Sequence, residues 1–330
     1  MRRALVVLVT ATALAAPATA VHASGPEVTG YALPGLPHRV LERNAPGLTT
    51  LTVVGASITA DGRRAVRPPA DSVRLGRKAR REGLRTELLV SNYSDRIGDF
   101  DTRAAGRLLR SPANVRRVAR QLASYVEAGR WDGVNLDLEA LQPQDGPGLV
   151  RLAAALQRRM PAARTVSVDV SAKGSVRDYR RAGYRLGALG RAVDLVQLMA
   201  YDQHGPTWSG PGPIGALPWQ RRTLGALLTQ VPAAKVDLGV AGYGYTWPRR
   251  GTGGPVTVAQ ARKLVRRDGA RATWDARAGE WRARLDDGTA LRWSDRRSLR
   301  LRRALAREQG LHGLAIWRIG SADTVPAGRP

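Results

Sequence analysis

The stretch DGVNLDLEAL, residues 132–141, places two carboxylates, Asp137 and Glu139, two positions apart in a run that is otherwise mostly aliphatic. In a β-strand successive side chains point to opposite faces, so Asn135, Asp137 and Glu139 share one face and the leucines share the other. In a barrel the aliphatic face packs on helices and the polar face points inward. The alternative is an edge strand whose polar face is exposed to solvent. A parallel strand flanked by helices has no such solvent-exposed face.

Short apolar runs of this kind recur along the chain and alternate with longer segments of helical periodicity. The predicted strands are residues 27–33, 48–57, 85–94, 133–141, 165–172, 195–202, 236–245 and 313–320. The predicted helices are residues 71–83, 111–129, 146–160, 178–192, 218–231 and 297–310. Eight strands alternating with helices predict a (β/α)8 TIM barrel of the α/β class. A doubly wound open sheet is the alternative, but no strand leads into a glycine-rich phosphate turn.

One stretch interrupts this alternation between strand 7 and the last helix. From about residue 249 to 294 a short helical pattern is followed by alternating aromatic and polar residues around a DDG turn at 286–288. The pattern predicts a small α+β insertion in the barrel. Asp286 and Asp287 are then turn residues rather than metal ligands.

Residues 1–23 have the features of a secretory signal peptide. Arg2 and Arg3 precede a run of apolar and small residues from Ala4 to Ala16. The alternative is a membrane anchor, but this run is shorter than the roughly 20 residues that a spanning helix needs. We therefore expect a secreted protein, extracellular or associated with the cell wall. Its mature part, residues 24–330, is expected to be a single catalytic barrel and a monomer with no membrane span.

The formal net charge is +26, and all but four of the 53 basic residues are arginine. Such a chain attracts polyanions. The arginines are spread over the predicted helices and are not grouped with aromatic residues, so nucleic acid is not an expected partner, whereas anionic cell-wall polymers are.

Metal and thiol chemistry are also not expected. The chain has no cysteine. The four histidines, which lack the spacing of metal ligands, are His22, His38, His204 and His312. The sequence therefore predicts no cofactor and no metal, and it argues against a metal-dependent hydrolase.

Asp137 and Glu139 suit acid–base chemistry. Two neighbouring carboxylates repel each other and burial disfavours charge, so one proton should stay near neutral pH, and we expect it on Glu139. A carboxylic acid held protonated at the mouth of a cleft can protonate the leaving oxygen of a glycosidic bond.

Four motifs resemble those of a known family. The segment DGVNLDLE (132–139) resembles the DGxxxDxE strand of glycoside hydrolase family 18, the chitinase family. Similar to its strands 6, 7 and 8 are VQLMAYD (196–202), VDLGVAGYGYTW (236–247) and GLAIWRIG (313–320). The insertion, GPGPIGALPW (210–219) and RWSDRRS (292–298) are similar to the branch of bacterial spore-germination and cortex-lytic N-acetylglucosaminidases.

The resemblance implies a hydrolase that cleaves β-1,4-linked N-acetylglucosamine in peptidoglycan or chitin with retention. Glu139 would be the general acid and later the base. Asp137 would orient the 2-acetamido group of the substrate, whose oxygen attacks the anomeric carbon to give an oxazolinium ion. Tyr201 would hydrogen-bond the acetamido carbonyl. The implied substrate-binding residues are Asp202, Trp317, Asn135, Met199, Gln197, Tyr243, Tyr31 and Asn92.

The strand 4 motif departs from the family pattern at Asn135, where many members have a further aspartate. Asp137 would receive a hydrogen bond from this amide but could not share a proton with it. The alternative function is a non-catalytic chitin- or peptidoglycan-binding barrel, as some relatives have become by losing the acid, but Glu139 is present. Met199 and Trp317 have ordinary core packing as their alternative, and His204 is either a substrate contact or a loop residue without a role.

Overall fold

The centre of the molecule is a closed barrel of eight parallel strands. The computed structural model describes residues 26–327, so the predicted signal peptide lies outside the described residues. The strands are β1 (Glu27–Ala32), β2 (Thr50–Ser57), β3 (Arg85–Ser91), β4 (Gly133–Asp137), β5 (Thr165–Ser171), β6 (Leu195–Met199), β7 (Val236–Ala241) and β8 (Gly313–Trp317). Neighbours in chain order pair in parallel, and β8 pairs with β1 to close the ring. The predicted TIM barrel is confirmed.

Helices surround this barrel. Within the described part of the chain they are α1 (His38–Asn44), α2 (Ala70–Arg81), α3 (Thr102–Leu109), α4 (Pro112–Ala128), α5 (Gly146–Gln157), α6 (Val176–Arg181), α7 (Leu186–Ala192), α8 (Leu217–Leu228), α9 (Val258–Asp268) and α10 (Arg296–Glu308). The one helix predicted over 178–192 is two helices, because Gly183 adopts a φ of 81° and ends the first of them. No helix between residues 26 and 327 is both long enough and apolar enough to cross a membrane.

Strand β4 has the two faces that its sequence predicts. Val134 and Leu136 are fully buried in the hydrophobic core that also contains the apolar sides of the helices. Asn135 points the other way and hydrogen-bonds Ser167 of β5 inside the barrel. The polar face of this strand therefore looks into the barrel, where the surrounding strands keep it from bulk water.

Five of the eight barrel strands, namely β3, β4, β6, β7 and β8, end three or four residues earlier than predicted. Strand β4 ends at Asp137, β6 at Met199 and β8 at Trp317. Ala140 and Asp202, which follow β4 and β6 on loops, adopt φ values of 53° and 57°, in the left-handed region and outside the β region. Several residues of the motifs thus lie on the loops just beyond the strands.

The insertion follows β7 and consists of a five-stranded antiparallel sheet with helix α9. Its strands are Gly244–Trp247, Pro255–Val256, Thr273–Asp275, Glu280–Arg284 and Ala290–Trp293. The predicted α+β insertion is confirmed, although its first strand begins at Gly244 rather than near residue 249. Asp287 accepts a hydrogen bond of 2.8 Å from the Thr289 N–H, as a turn residue does.

A buried polar network fastens the insertion to the barrel. Glu280 of the insertion is fully buried, accepts the Gly215 N–H at 2.8 Å and lies 3.6 Å from the Arg302 guanidinium of α10. Arg302 donates to the Gln220 side-chain oxygen at 3.0 Å, and Gln220 donates to the Ala200 carbonyl at 2.7 Å. The insertion, α10, α8 and the residue that follows β6 therefore form one connected unit.

Candidate active site

A cavity of about 390 Å³ opens at the carboxyl ends of the barrel strands, the end at which TIM-barrel enzymes place their active sites. The sequence-predicted residues that line it are Asp137, Glu139, Met199, Tyr201, Asp202 and Trp317. The lining residues that the sequence did not single out are Leu33, Val54, Leu89, Ser91, Tyr93, Phe100 and Asp169. The ends of β4, β6 and β8 thus bring the predicted acid Glu139 into the same cavity as Asp137, Tyr201 and Trp317.

Glu139 lies just beyond β4, and Asn92 holds its main chain. The Asn92 amide accepts a hydrogen bond of 2.8 Å from the Glu139 N–H and donates one of 3.0 Å to the Glu139 carbonyl. Burial, followed by the charges of Asp169 and Asp202, raises the pKa of the Glu139 carboxyl to about 7, while Lys173 acts in the opposite direction. Glu139 therefore keeps a proton to near neutral pH, which a general acid requires.

Asp137 is the last residue of β4 and is 8% exposed. Burial, followed by the charge of Glu139, raises the pKa of its carboxyl well above the usual value. The predicted hydrogen bond from Asn135 to Asp137 is wrong. Asn135 lies one step deeper in the barrel, where its amide donates to Asp169 at 2.7 Å and to Ser167 at 3.0 Å.

Tyr201 and Asp202 follow β6 and form one wall of the cavity. Burial, followed by the surrounding carboxylates, raises the pKa of the Tyr201 phenol well above its usual value, so it remains a hydrogen-bond donor. One carboxylate oxygen of Asp202, Oδ1, accepts hydrogen bonds from the hydroxyls of Tyr243 and Tyr245. These two tyrosines fix the direction in which Asp202 faces the cleft.

Trp317 supplies an aromatic surface to the cavity. It is the last residue of β8, and its ring lies 5.6 Å from that of Tyr31, measured between centroids. Met199, the last residue of β6, contributes an apolar side chain to the same lining. Both residues face the cavity rather than belonging only to the core.

Five residues that the resemblance implied as substrate contacts lie behind the lining instead. These are Tyr31, Asn92, Asn135, Gln197 and Tyr243, all of them buried. The first three and Tyr243 hold other side chains or the main chain of the site by hydrogen bonds. Gln197 points into the barrel beside Asp169, its register partner on β5. Tyr31, Asn135 and Gln197 lie on barrel strands, below the loops that form the rim, and none of the five residues reaches the cavity surface.

Asp169 and two aromatic residues are site residues that the sequence reading missed. Asp169, on β5, accepts hydrogen bonds of 2.7 Å from both the Tyr31 hydroxyl and the Asn135 amide. Tyr93 and Phe100 pair across a short hairpin after β3, with ring centroids 5.6 Å apart. The available signals were an inward-facing acid in TVSVDVSA and two aromatic residues that bracket a turn with Gly98 at a φ of 67°.

None of the histidines between residues 26 and 327 lines this cavity. His204 lies 2.9 Å from the Pro213 carbonyl through Nδ1, so it holds its own loop together. Among residues 26–327, one group of three potential metal ligands lies within chelating distance, namely His38, Glu42 and Glu82. His38 lies 3.1 Å from the Glu42 carboxylate and 3.6 Å from the Glu82 carboxylate, and none of the three side chains lines the cavity.

A second cavity, of about 290 Å³, lies at the opposite end of the barrel, where the strands begin. Glu87 reaches it from β3 and accepts hydrogen bonds from Thr52 and Ser167. Burial raises the pKa of Glu87 to about 7. His312 lies 2.7 Å from the Asp237 carboxylate at the same end. The amino-terminal end of a TIM barrel serves stability, so we assign these groups to folding and not to chemistry.

The family model described as Glycosyl hydrolases family 18 matches residues 78–322, most of the described chain. The chain belongs to glycosyl hydrolase family 18. The resemblance carried by the four strand motifs is therefore confirmed, and this family 18 protein is a glycosidase whose family acts on glycans that contain N-acetylglucosamine.

Its relatives within family 18 include spore enzymes and chitinases. The uncharacterized glycosylase YvbX of Bacillus subtilis is 23% identical over 253 residues, which cover 74% of this chain and 73% of YvbX. The cortical fragment-lytic enzyme of Bacillus anthracis is 24% identical, over 83% of this chain and 65% of that enzyme. The family 18 barrel thus spans just under two thirds of this second relative.

A solved structure of a family 18 relative has the same fold. The chitinase of Chromobacterium violaceum ATCC 12472 aligns with a TM-score of 0.81 and 27% identity, over 91% of this chain and 96% of that chain.

Proposed function

We propose that this glycosidase hydrolyses β-1,4-linked N-acetylglucosamine glycans, in peptidoglycan or chitin, with retention and through an oxazolinium intermediate. The observation that carries the proposal is that Asp137, Glu139 and Tyr201 line one cavity at the carboxyl end of the barrel, with Trp317 beside them. The relatives' names supply both candidate glycans, a bacterial cortex and chitin.

In the first step Glu139 gives its proton to the glycosidic oxygen, and the bond from this oxygen to the anomeric carbon breaks. The acetamido oxygen of the same sugar forms a new bond to that carbon, which is the substrate-assisted route. Tyr201 donates a hydrogen bond to the acetamido oxygen and holds it in line. Asp137 accepts a hydrogen bond from the acetamido N–H and so orients the acetamido group for this attack.

In the second step the Glu139 carboxylate removes a proton from water, and this water attacks the anomeric carbon from the side that the leaving sugar vacated. The oxazolinium ring opens and the acetamide is restored. Two inversions at one carbon give net retention. Trp317 provides an apolar surface on which the sugar ring rests, because sugar C–H faces pack on aromatic rings.

The test uses purified peptidoglycan and chitin oligomers in parallel, with product masses determined by mass spectrometry and anomers followed by proton NMR. We expect release of fragments with a reducing-end N-acetylglucosamine, formed first as the β anomer, from at least one of the two glycans. Initial formation of the α anomer, or equal turnover by Glu139→Gln and the wild type, would contradict the mechanism. The masses also distinguish internal from terminal cleavage.

We further propose that the protein is exported and held at the cell wall by its charge. The support is the net charge of +26 together with the leader-like sequence of residues 1–23. Attraction between an arginine-rich surface and anionic wall polymers weakens as salt screens it. Purified walls should therefore release the protein as sodium chloride is raised from about 0.05 to about 0.5 M. Retention that is independent of salt would exclude this form of attachment.

A further inference from the structure

Asn135 occupies the position at which many family members carry an aspartate, and the structure shows a carboxylate next to it on another strand. The Asn135 amide donates to Asp169 of β5 at 2.7 Å and also lies 3.5 Å from the Tyr31 hydroxyl. Asp169 is 3% exposed and lines the same cavity as Asp137 and Glu139. The ionisable group that is missing from β4 is thus present on its neighbour.

The strand register places Asp169 beside Asp137. Strands β4 and β5 pair in parallel, with Asn135 opposite Ser167 and Leu136 opposite Val168. Asp137 and Asp169 are each the next residue after the last of these pairs, and they share the inward face. Neighbouring strands are about 4.8 Å apart, so the two carboxyl groups are close neighbours.

Two buried carboxyl groups this close cannot both ionise near neutral pH. Burial raises the pKa of the Asp137 carboxyl and of the Asp169 carboxyl well above their usual values, and ionisation of either one disfavours ionisation of the other. The pair therefore carries one proton and titrates as a unit. The other titratable groups that face Asp169 are Tyr31 of β1, Glu87 of β3, Glu139 after β4 and Tyr201 after β6, and none of these is a cation.

The hydrogen bonds decide which member of the pair holds the proton. Asp169 Oδ1 accepts two donors, the Tyr31 hydroxyl and the Asn135 amide, each at 2.7 Å. Asp137 accepts one hydrogen bond, from the Ser91 side chain, and its buried Oδ1 accepts none from the described residues. Donors stabilise a charged carboxylate, so the negative charge belongs on Asp169 and the proton on Asp137.

We propose that Asp169 is a positioning residue that keeps Asp137 protonated. The Asn135 amide cannot perform this role because it does not ionise. The inference rests on the proposed function. When Glu139 has given its proton to the leaving oxygen, the Asp137 hydroxyl donates a hydrogen bond to the new Glu139 carboxylate. The carbonyl oxygen of Asp137 meanwhile accepts the acetamido N–H. No proton is lost from the pair in this step, and an ionised Asp137 would instead repel the carboxylate that forms.

The first experiment needs no substrate. The carboxyl carbon of Asp137 is followed by NMR during a pH titration of the full protein and of Asp169→Asn. We expect the apparent pKa of Asp137 to fall by at least one unit in the variant, because the neighbouring charge that retains its proton is gone. An unchanged Asp137 titration in folded Asp169→Asn would overturn the inference and would leave the proposed function standing.

The second experiment moves the carboxylate back to β4. We expect kcat of Asp169→Asn on the preferred glycan to fall about 10- to 100-fold with little change in KM, and its pH profile to change shape. In the double variant Asn135→Asp with Asp169→Asn, kcat should be at least tenfold higher than in Asp169→Asn alone, because an acid is again present beside Asp137. A wild-type pH profile in Asp169→Asn, or no recovery in a double variant that melts like the wild type, would refute the assignment. Failure of the wild type on every glycan would refute the proposed function instead.

Discussion

The sharpest prediction concerns the protonation of Glu139. Its pKa of about 7, raised by burial and by two carboxylates, means that the acid form exists below this pH and disappears above it. The protonated fraction is then about 0.9 at pH 6, about 0.5 at pH 7 and about 0.1 at pH 8. Because the first step consumes this proton, kcat should fall about tenfold between pH 6 and pH 8.

The assay measures initial rates on a soluble N-acetylglucosamine oligomer at saturating concentration, at half-unit intervals from pH 5 to 9, with circular dichroism showing that the fold persists. Glu139→Gln is the matched variant, and it should lose about 10²- to 10⁴-fold in kcat and show no inflection near pH 7. A wild-type rate that is constant or rises from pH 6 to 8 would refute the assignment of Glu139 as the acid.

Three further predictions concern the wall of the cleft, the far end of the barrel and the insertion. Tyr201→Phe should lower kcat about 100-fold through loss of one donor, with an unchanged melting curve. Glu87 has a folded pKa of about 7 against an ordinary 4.5, so the stability it contributes at low pH is lost as pH rises through 7. Urea unfolding at pH 5 and at pH 8 measures this effect. Between these two pH values the free energy of unfolding of the wild type should fall by about 3 kcal/mol more than that of Glu87→Gln. An equal fall in both proteins would argue that Glu87 does not titrate in the folded state. Arg302→Met leaves the Glu280 carboxylate without its cation and should cost about 3 kcal/mol in thermal unfolding, whereas Met at the exposed Arg300 of the same helix should cost little.

The sequence predicted the architecture well because the alternation of side chains along a strand is a local property. Eight short apolar runs and the helices between them were enough for a barrel, and the inward direction of Asp137 followed from β4 alone. The strand ends were less predictable. Left-handed backbone follows both β4 and β6, at Ala140 and Asp202, and because neither residue is a glycine the sequence gives no signal of it.

Contacts between strands were beyond the reach of the sequence. Asp169 is one polar residue in an alternating run, and its importance appears only when β5 is placed beside β4. The direction of the Asn135 amide was wrong for the same reason, since its partner belongs to a neighbouring strand. The hairpin of Tyr93 and Phe100 was overlooked because a predicted strand was extended through its first half.

The connected unit of Glu280, Arg302 and Gln220 has a consequence for protein engineering. Loops and inserted segments of barrel enzymes are commonly treated as exchangeable modules, but this insertion carries an acid whose counterpart sits on α10. A chimera that imports a foreign insertion would remove the Glu280 carboxylate from Arg302 and leave this buried cation with neutral partners, among them Gln220. Gln220 also holds the Ala200 carbonyl, which precedes the cleft tyrosine, so the change would reach the active site. To change the substrate specificity of this protein by exchanging the insertion, α8 and α10 therefore have to be transferred together with it.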